Sequence, residues 1–266
     1  MANFIVLFNS FINMMFAIAV GTFEIAHALH MEIFIPILII QKVGMMRKNY
    51  DDVFSFYSAE NNPWEKSGKE VAKNMLCNHN LNNIEIRYSI DDSNNVYNAP
   101  KHKGQIILGK NIYYGSSITS AAIAAHEAGH AIQEKGKNLI LRKAFSMRGK
   151  SIVWAALVRP TAIPMFIVAT VFEWRFLALF AMISLGCVLF SQIFVSFIEI
   201  DASNSGMKYI KSITANAAAG VTNADYEEAV GKVQKVLTAA FMTYFPNMAF
   251  SFLAFAWALI NFYMYF

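Results

Sequence analysis

Long apolar runs flank one large polar block in this chain, and the two kinds of stretch predict different elements. Residues 3–20, NFIVLFNSFINMMFAIAV, are long enough for a marginal membrane span and lack the basic start and small-residue cleavage site of a removed signal peptide. A shorter run, Glu32–Ile40, follows Thr22–Met31. The first 41 residues therefore make either a hairpin of two spans or one helix over about 23–41 with a membrane-associated extension before it. Further along, Ile152–Phe172 and Phe176–Ile198 read as two spans separated only by Glu173, Trp174 and Arg175, and the second holds 23 residues without a charge. Arg159, Pro160 and Pro164 predict a kink near the start of the first span, with the arginine snorkelling or paired. The last apolar run, Ala239–Phe266, is interrupted at Pro246.

The polar block, residues 42–150, carries mixed periodicities. Gly68–Cys77 reads as an amphipathic helix with Val71, Met75 and Leu76 on one side. Ile84–Ile90 alternates like a half-buried strand, and Asp91–Asn95 after it is a turn. Gly104–Gly109 is a second short strand, either an edge to which an extended peptide could add or part of a packing hairpin. It leads into Ser117–Glu134, whose alanines at 121, 122, 124, 125, 128 and 131 favour helix and close packing, with Ser117, Thr119 or Ser120 as the cap.

That helix contains His126-Glu127-Ala128-Gly129-His130. Histidines four apart project from one helical face about one turn apart, a spacing that suits one zinc ion. Glu127 then stands beside a zinc-bound water as general base. The competing reading is an ordinary helix with two histidines, but imidazoles in so apolar a helix are costly to bury without partners. Catalytic zinc takes three protein ligands and keeps one open position. The candidate for the third is Glu199, directly after the uncharged span; the plainer alternative is an interfacial carboxylate that ends that span. Two spans joined by a short break lie between His130 and Glu199, so the chain crosses and returns and both ligand sources face one side. Other polar groups read as less specific. Glu24, His27, His30 and Glu32 take structural or interfacial roles, and Cys77-Asn78-His79 is a small hydrophobe beside a solvated histidine rather than a metal pair. Cys187 lies in an apolar run, so no bridge to Cys77 is expected.

Composition supports a membrane protein: 56% of residues are hydrophobic and 15% charged, with 23 phenylalanines, more apolar surface than a soluble core of this length needs. The net charge of +4 is modest and its cations form no nucleic-acid stripe. Lys42, Arg47, Lys48 and the cluster Lys135, Lys137, Arg142, Lys143, Arg148 and Lys150 flank the spans on the predicted site side, against Arg175 beside Glu173 opposite. The positive-inside rule then places the site at the cytoplasmic face.

Three blocks carry a family resemblance: Asn111-Ile-Tyr-Tyr-Gly-Ser-Ser-Ile118, Ala124-Ala-His-Glu-Ala-Gly-His-Ala-Ile-Gln133 and Ile198-Glu-Ile-Asp-Ala-Ser203, with a fainter one at Lys235–Ala240 and Thr243-Tyr244. From about Gln41 onward the chain resembles the YugP-like neutral zinc metallopeptidases of bacterial membranes. More distantly, its Glu-x-x-Ala-Ser pattern is similar to the Glu-x-x-Ala-Asp of HtpX-type membrane proteases. The resemblance implies a mainly α membrane protein with a zincin-like metalloprotease core, a small β-sheet and about four or five transmembrane helices. It implies Zn2+ on His126, His130 and Glu199, Glu127 as base, and a peptide or protein substrate, including membrane proteins. Departures are Ala128 where the family has cysteine, Ser205 where it has arginine, and Tyr97-Asn-Ala-Pro100 in place of a tighter tyrosine-aspartate-proline.

The expected organisation is an N-terminal membrane part (1–41), a cytoplasmic zincin-like region (42–150), a transmembrane hairpin (151–198), a helical region with the third ligand (199–237) and a C-terminal span (238–266). The expected function is a membrane zinc endopeptidase of the cell membrane, with the lipid bilayer as partner and no nucleic acid. The alternative, which the departures motivate, is a scaffold or partner-binding protein that keeps zinc and has lost catalysis. A transporter fits less well because the span Phe176–Ile198 is unbroken and apolar. The oxyanion partner stays open among Tyr97, His102, Tyr113 and Tyr114, each of which also reads as a packed aromatic or a surface group.

Overall fold

The computed structural model describes residues 48–98, 104–135, 139–215 and 222–266. The expected spans within residues 1–41, and His102, lie outside the described residues. The described residues divide into two compact units: Lys48–Ser146 with Ile198–Met242, and Met147–Phe197 with Thr243–Phe266.

The first unit holds the polar block. Helix α1 covers residues 48–58 and α2 covers Gly68–Asn78. α2 starts at a capping box: Ser67 Oγ accepts from the Glu70 amide, and a Glu70 carboxylate oxygen accepts from the Ser67 amide at 2.8 Å. The Ser67 hydroxyl, which also donates to that carboxylate at 2.7 Å, and then the Ser67 amide hold the Glu70 carboxyl below the usual carboxylate range. The predicted apolar face is the one buried, with Val71, Ala72, Met75 and Leu76 all 2% exposed or less.

Strands β1 (Glu85–Ser89), β2 (Val96–Asn98) and β3 (Gln105–Gly109) form one sheet in the order β1-β3-β2. β1 and β3 run parallel, with Glu85 opposite Gln105 and Ser89 opposite Gly109. β2 is antiparallel to β3, with Tyr97 opposite Ile106. This corrects the edge reading of Gly104–Gly109, because β3 is the central strand; the hairpin alternative holds in that β3 pairs antiparallel with the strand before it, β2. β3 sits in the middle because Ile106 and Leu108 are fully buried, whereas β1 is largely exposed. The predicted turn after β1 does form, and it ties the sheet together: Asn95 Oδ1 accepts from the Gly109 amide and Asp92 from the Asn111 amide, both at 2.8 Å.

A short helix α3 (Lys110–Tyr114) leads to α4 (Ile118–Lys135). Ser117 is the residue that caps it, accepting from the Ser120 amide at 3.0 Å. The buried Asn62 clamps the approach, its amide donating to the carbonyls of Ser116 (2.6 Å) and Lys66 (2.8 Å). Every residue from Ile118 to Ala125 is buried, so α4 has no solvent face over that length and acts as the axis of the unit. Its alanines pack in the same core as α2, β3, Tyr209 and Ile210 of α6 (Arg175–Ala215), and Val233, Val236 and Leu237 of α7 (Asn223–Met242). Lys232 of α7 pairs with Glu60 and with Glu228.

The second unit contains most of α5 (Leu139–Val171), the first part of α6, and α8 (Phe245–Tyr265). α5 continues as helix through Pro160 and Pro164. Arg159 is paired, as one of the two alternatives expected: its guanidinium donates to Asn247 Oδ1 and lies over the Phe250 ring. The chain turns at Phe172–Trp174 with Glu173 at φ 56°, and a second break precedes Pro246. The helices pack on small residues, Ala162, Ala169, Ala178, Ala181 and Ala258, around Phe166. Among the described residues, three stretches are long and apolar enough to cross a membrane: Phe145–Val171, Arg175–Ile213 and Ala224–Tyr265. Both cysteines are free.

α4 and α6 approach each other backbone to backbone. A Cβ on Gly129 would run into the Ala202 carbonyl and stand 3.0 Å from Ala202 Cα, and one on Gly206 would stand 3.0 Å from the Ala125 carbonyl. Gly129→Ala is expected to force these helices apart and lower stability by about 1–3 kcal/mol. The check is the thermal midpoint of the detergent-purified protein, with its zinc content falling in parallel.

Candidate metal centre

The close contact at Gly129 and Gly206 fixes what faces what. α4 presents His126 and His130 one turn apart, and α6 lays the segment Ile198–Ser203 across them. Glu199 Oε2 lies 3.3 Å from His126 Nε2 and 3.4 Å from His130 Nε2. The three donor atoms stand within 4.8 Å of one another. His130 and Glu199 are each 1% exposed, while the His126 side chain is 13% exposed.

These separations discriminate between two chemistries. A charge-assisted hydrogen bond from imidazolium to carboxylate is about 2.7–2.9 Å long. Ligand atoms on a tetrahedral zinc with bonds of about 2.0–2.1 Å stand about 3.3–3.4 Å apart. The observed distances match the second, and His130 Nε2 is buried without a hydrogen bond. Each Nδ1 is engaged on the far side of its ring: His126 Nδ1 lies 3.0 Å from Ser203 Oγ, and His130 Nδ1 lies 2.9 Å from Gln133 Oε1. Both rings are thus held from behind with Nε2 turned inward, as ligating histidines are. The donor set therefore fits zinc.

Glu127 is 7% exposed, and one of its carboxylate oxygens accepts from the backbone amide of Tyr97 on β2 at 2.6 Å. The Tyr97 side chain is tied to the same helix, its hydroxyl donating to Glu134 and its ring resting on Phe145, which in turn packs on His130. Burial, the hydrogen bond to Glu134 and that residue's negative charge push the Tyr97 phenol well above the usual tyrosine range.

With this geometry in place, similarity to known families can be weighed. Residues 30–263 match the family described as "Putative neutral zinc metallopeptidase". The chain belongs to that family. No curated protein and no solved structure gives a significant match. The peptidase is accordingly a zinc enzyme that acts on peptide bonds, and His126, His130 and Glu199 form its His-His-Glu group of metal-binding kind.

Of the sequence candidates, the structure brings together His126, His130 and Glu199, while Glu127, next to His126 on α4, is buried with its carboxylate on the Tyr97 amide. Tyr97 is near them but is packed and hydrogen-bonded, so its hydroxyl is committed to Glu134. Tyr113 and Tyr114 cluster instead with Tyr88, and Lys69 lies over the Tyr113 ring. Sequence reasoning missed Gln133, Asp201 and Tyr50. Tyr50, on α1, packs against Phe54; burial and then the charges of Asp51 and Glu127 raise its phenol, which puts it within electrostatic reach of Glu127. The i, i+4 spacing of Tyr50 and Phe54 was the one available signal.

Tyr97→Phe should leave zinc affinity within about twofold while lowering stability by about 1–2 kcal/mol, since it removes a part-buried hydrogen bond behind the centre rather than a donor in it. Chelator titration and thermal unfolding of the same preparation test this pair of outcomes.

Proposed function

We propose that this protein is a multi-pass membrane endopeptidase with a zincin-like core in which His126, His130 and Glu199 hold zinc and Glu127 is the general base. The observation that carries the reading is the buried His-His-Glu group at ligand spacing, with a carboxylate one residue after the first histidine. Bound zinc supplies Lewis acidity toward the scissile carbonyl and makes water acidic enough to be a nucleophile near neutral pH. The protein's own part is positional. The Tyr97 amide holds one Glu127 oxygen, so the carboxylate is oriented and its other oxygen can take the proton from water. Glu127 then returns that proton to the leaving amine, and the peptide bond is replaced by a carboxylic acid and an amine. Burial of Glu127 and His130 limits competing solvent at the reacting atoms.

The site works at the cytoplasmic membrane face in this reading. Support comes from the crossing and return of the chain between His130 and Glu199, and from Lys135, Arg142, Lys143, Arg148 and Lys150 on the near flank. Peptides or proteins presented at that face, membrane proteins among them, are the substrates, and the bilayer is the environment.

Glu127→Gln should keep stoichiometric zinc and lose at least about 100-fold in peptide cleavage. Glu199→Ala should lose the metal. Elemental analysis and cleavage of a quenched peptide library measure both. Zinc in the wild type with no cleavage of any peptide would replace this reading with the scaffold alternative.

A further inference from the structure

We infer that Gln133 and Asp201 are positioning residues that fix the tautomer of His130 and so set how strongly the centre binds its metal. The inference rests on the zinc-peptidase reading above and concerns residues that the reading leaves without a role.

Hydrogen-bond accounting fixes the orientation of the Gln133 amide. Its Nε2 lies 2.7 Å from the Ile198 carbonyl oxygen and 2.9 Å from Asp201 Oδ2. A carbonyl and a carboxylate oxygen accept, so the atom facing them is the amide nitrogen, with both of its hydrogens used. Oε1 must then be the atom 2.9 Å from His130 Nδ1. An amide oxygen only accepts, so Nδ1 carries the hydrogen and Nε2 presents its lone pair toward Glu199 and His126. The flipped amide would set its carbonyl against two acceptors. With Gln133 3% exposed, no bulk water relieves that arrangement.

Asp201 is what makes the choice one-sided. Without it, one amide hydrogen would still reach Ile198, but the other would be buried without an acceptor. His126 is held differently. Its Nδ1 meets the Ser203 hydroxyl, a rotor that can donate or accept and therefore fixes no tautomer. The three anchors Ile198, Asp201 and Ser203 flank Glu199 on one stretch of α6. The helix that delivers the carboxylate thus also presets one imidazole and leaves the other adjustable. A merely structural view would treat Gln133 as a tie between α4 and α6; it predicts lower stability on substitution but no specific change in the metal's surroundings.

The test uses the full-length protein in detergent. Zinc affinity is measured by chelator competition, and the cobalt(II)-substituted protein gives a visible ligand-field spectrum that reports the donor set. Gln133→Met, similar in size but unable to hold Nδ1–H, should weaken zinc about 10–100-fold and change the cobalt spectrum. Asp201→Leu should weaken it about tenfold, and Asp201→Asn, whose amide oxygen can take the same hydrogen bond, should stay within about threefold of wild type. Asp201 is half-buried, so its two variants keep the test available if Gln133→Met does not fold. Wild-type affinity and spectrum in Gln133→Met, or equal losses in Asp201→Asn and Asp201→Leu, would overturn the positioning role while leaving the zinc reading intact. A wild-type protein that binds neither zinc nor cobalt would overturn the zinc reading itself.

Discussion

The closest dependency in this molecule is the contact between the backbones of α4 and α6 at Gly129 and Gly206. A glycine between the two histidines lets the Ala202 carbonyl rest where a side chain would otherwise stand. Because Ala202 sits there, Glu199, about one turn earlier on α6, falls over both Nε2 atoms, and Ser203, one residue later, falls behind His126. Moving α6 away by the width of one methyl group would separate three interactions at once. The small residues of the motif are thus as much a part of the centre as its donors.

That contact sets one buried carboxylate, Glu199, against two imidazoles. Desolvating a carboxylate costs several kcal/mol unless an opposite charge meets it. Glu199 is 1% exposed and faces imidazoles at distances longer than charge-assisted hydrogen bonds. The fixed tautomer of His130 offers it a lone pair instead of a proton. A divalent cation satisfies all three groups together. Sites whose ligands come from distant parts of a chain generally couple metal uptake to folding, and Glu199 lies 69 residues beyond His130 in this one.

The metal helix, its serine cap and the apolar face of α2 were legible because each depends on local spacing. Glu199 was legible for a different reason: a charge just past an uncharged span is conspicuous, and crossing parity constrained where it could be. Strand β2 was invisible because three residues carry no periodicity, and the central place of β3 depends on pairings between segments far apart. Gln133 and Asp201 look like surface polar residues until the turn of α6 reaches them. Their role exists only in the tertiary arrangement, so no pattern along the chain announces it. Nor does a pattern announce the role of Tyr50, because its nearness to the charge of Glu127 arises from tertiary packing and not from spacing along the chain.

The sheet reaches the chemistry through one residue of its edge. In an antiparallel pair, alternate residues turn their backbone groups toward the partner strand and away from it. Tyr97 gives its N–H to Glu127, so it is the outward-facing position of β2, and the flanking Val96 and Asn98 are the ones directed at β3. Its ring then closes against Gly104, where any side chain would collide, and its hydroxyl returns to α4 at Glu134. Backbone and side chain of a single residue therefore bind the edge strand to the metal helix at two points seven residues apart. The outward donor of a three-residue strand is consumed in aiming the carboxylate. An extended peptide that lies along β2 must find its backbone donors elsewhere, because the strand's outward N–H is given to Glu127.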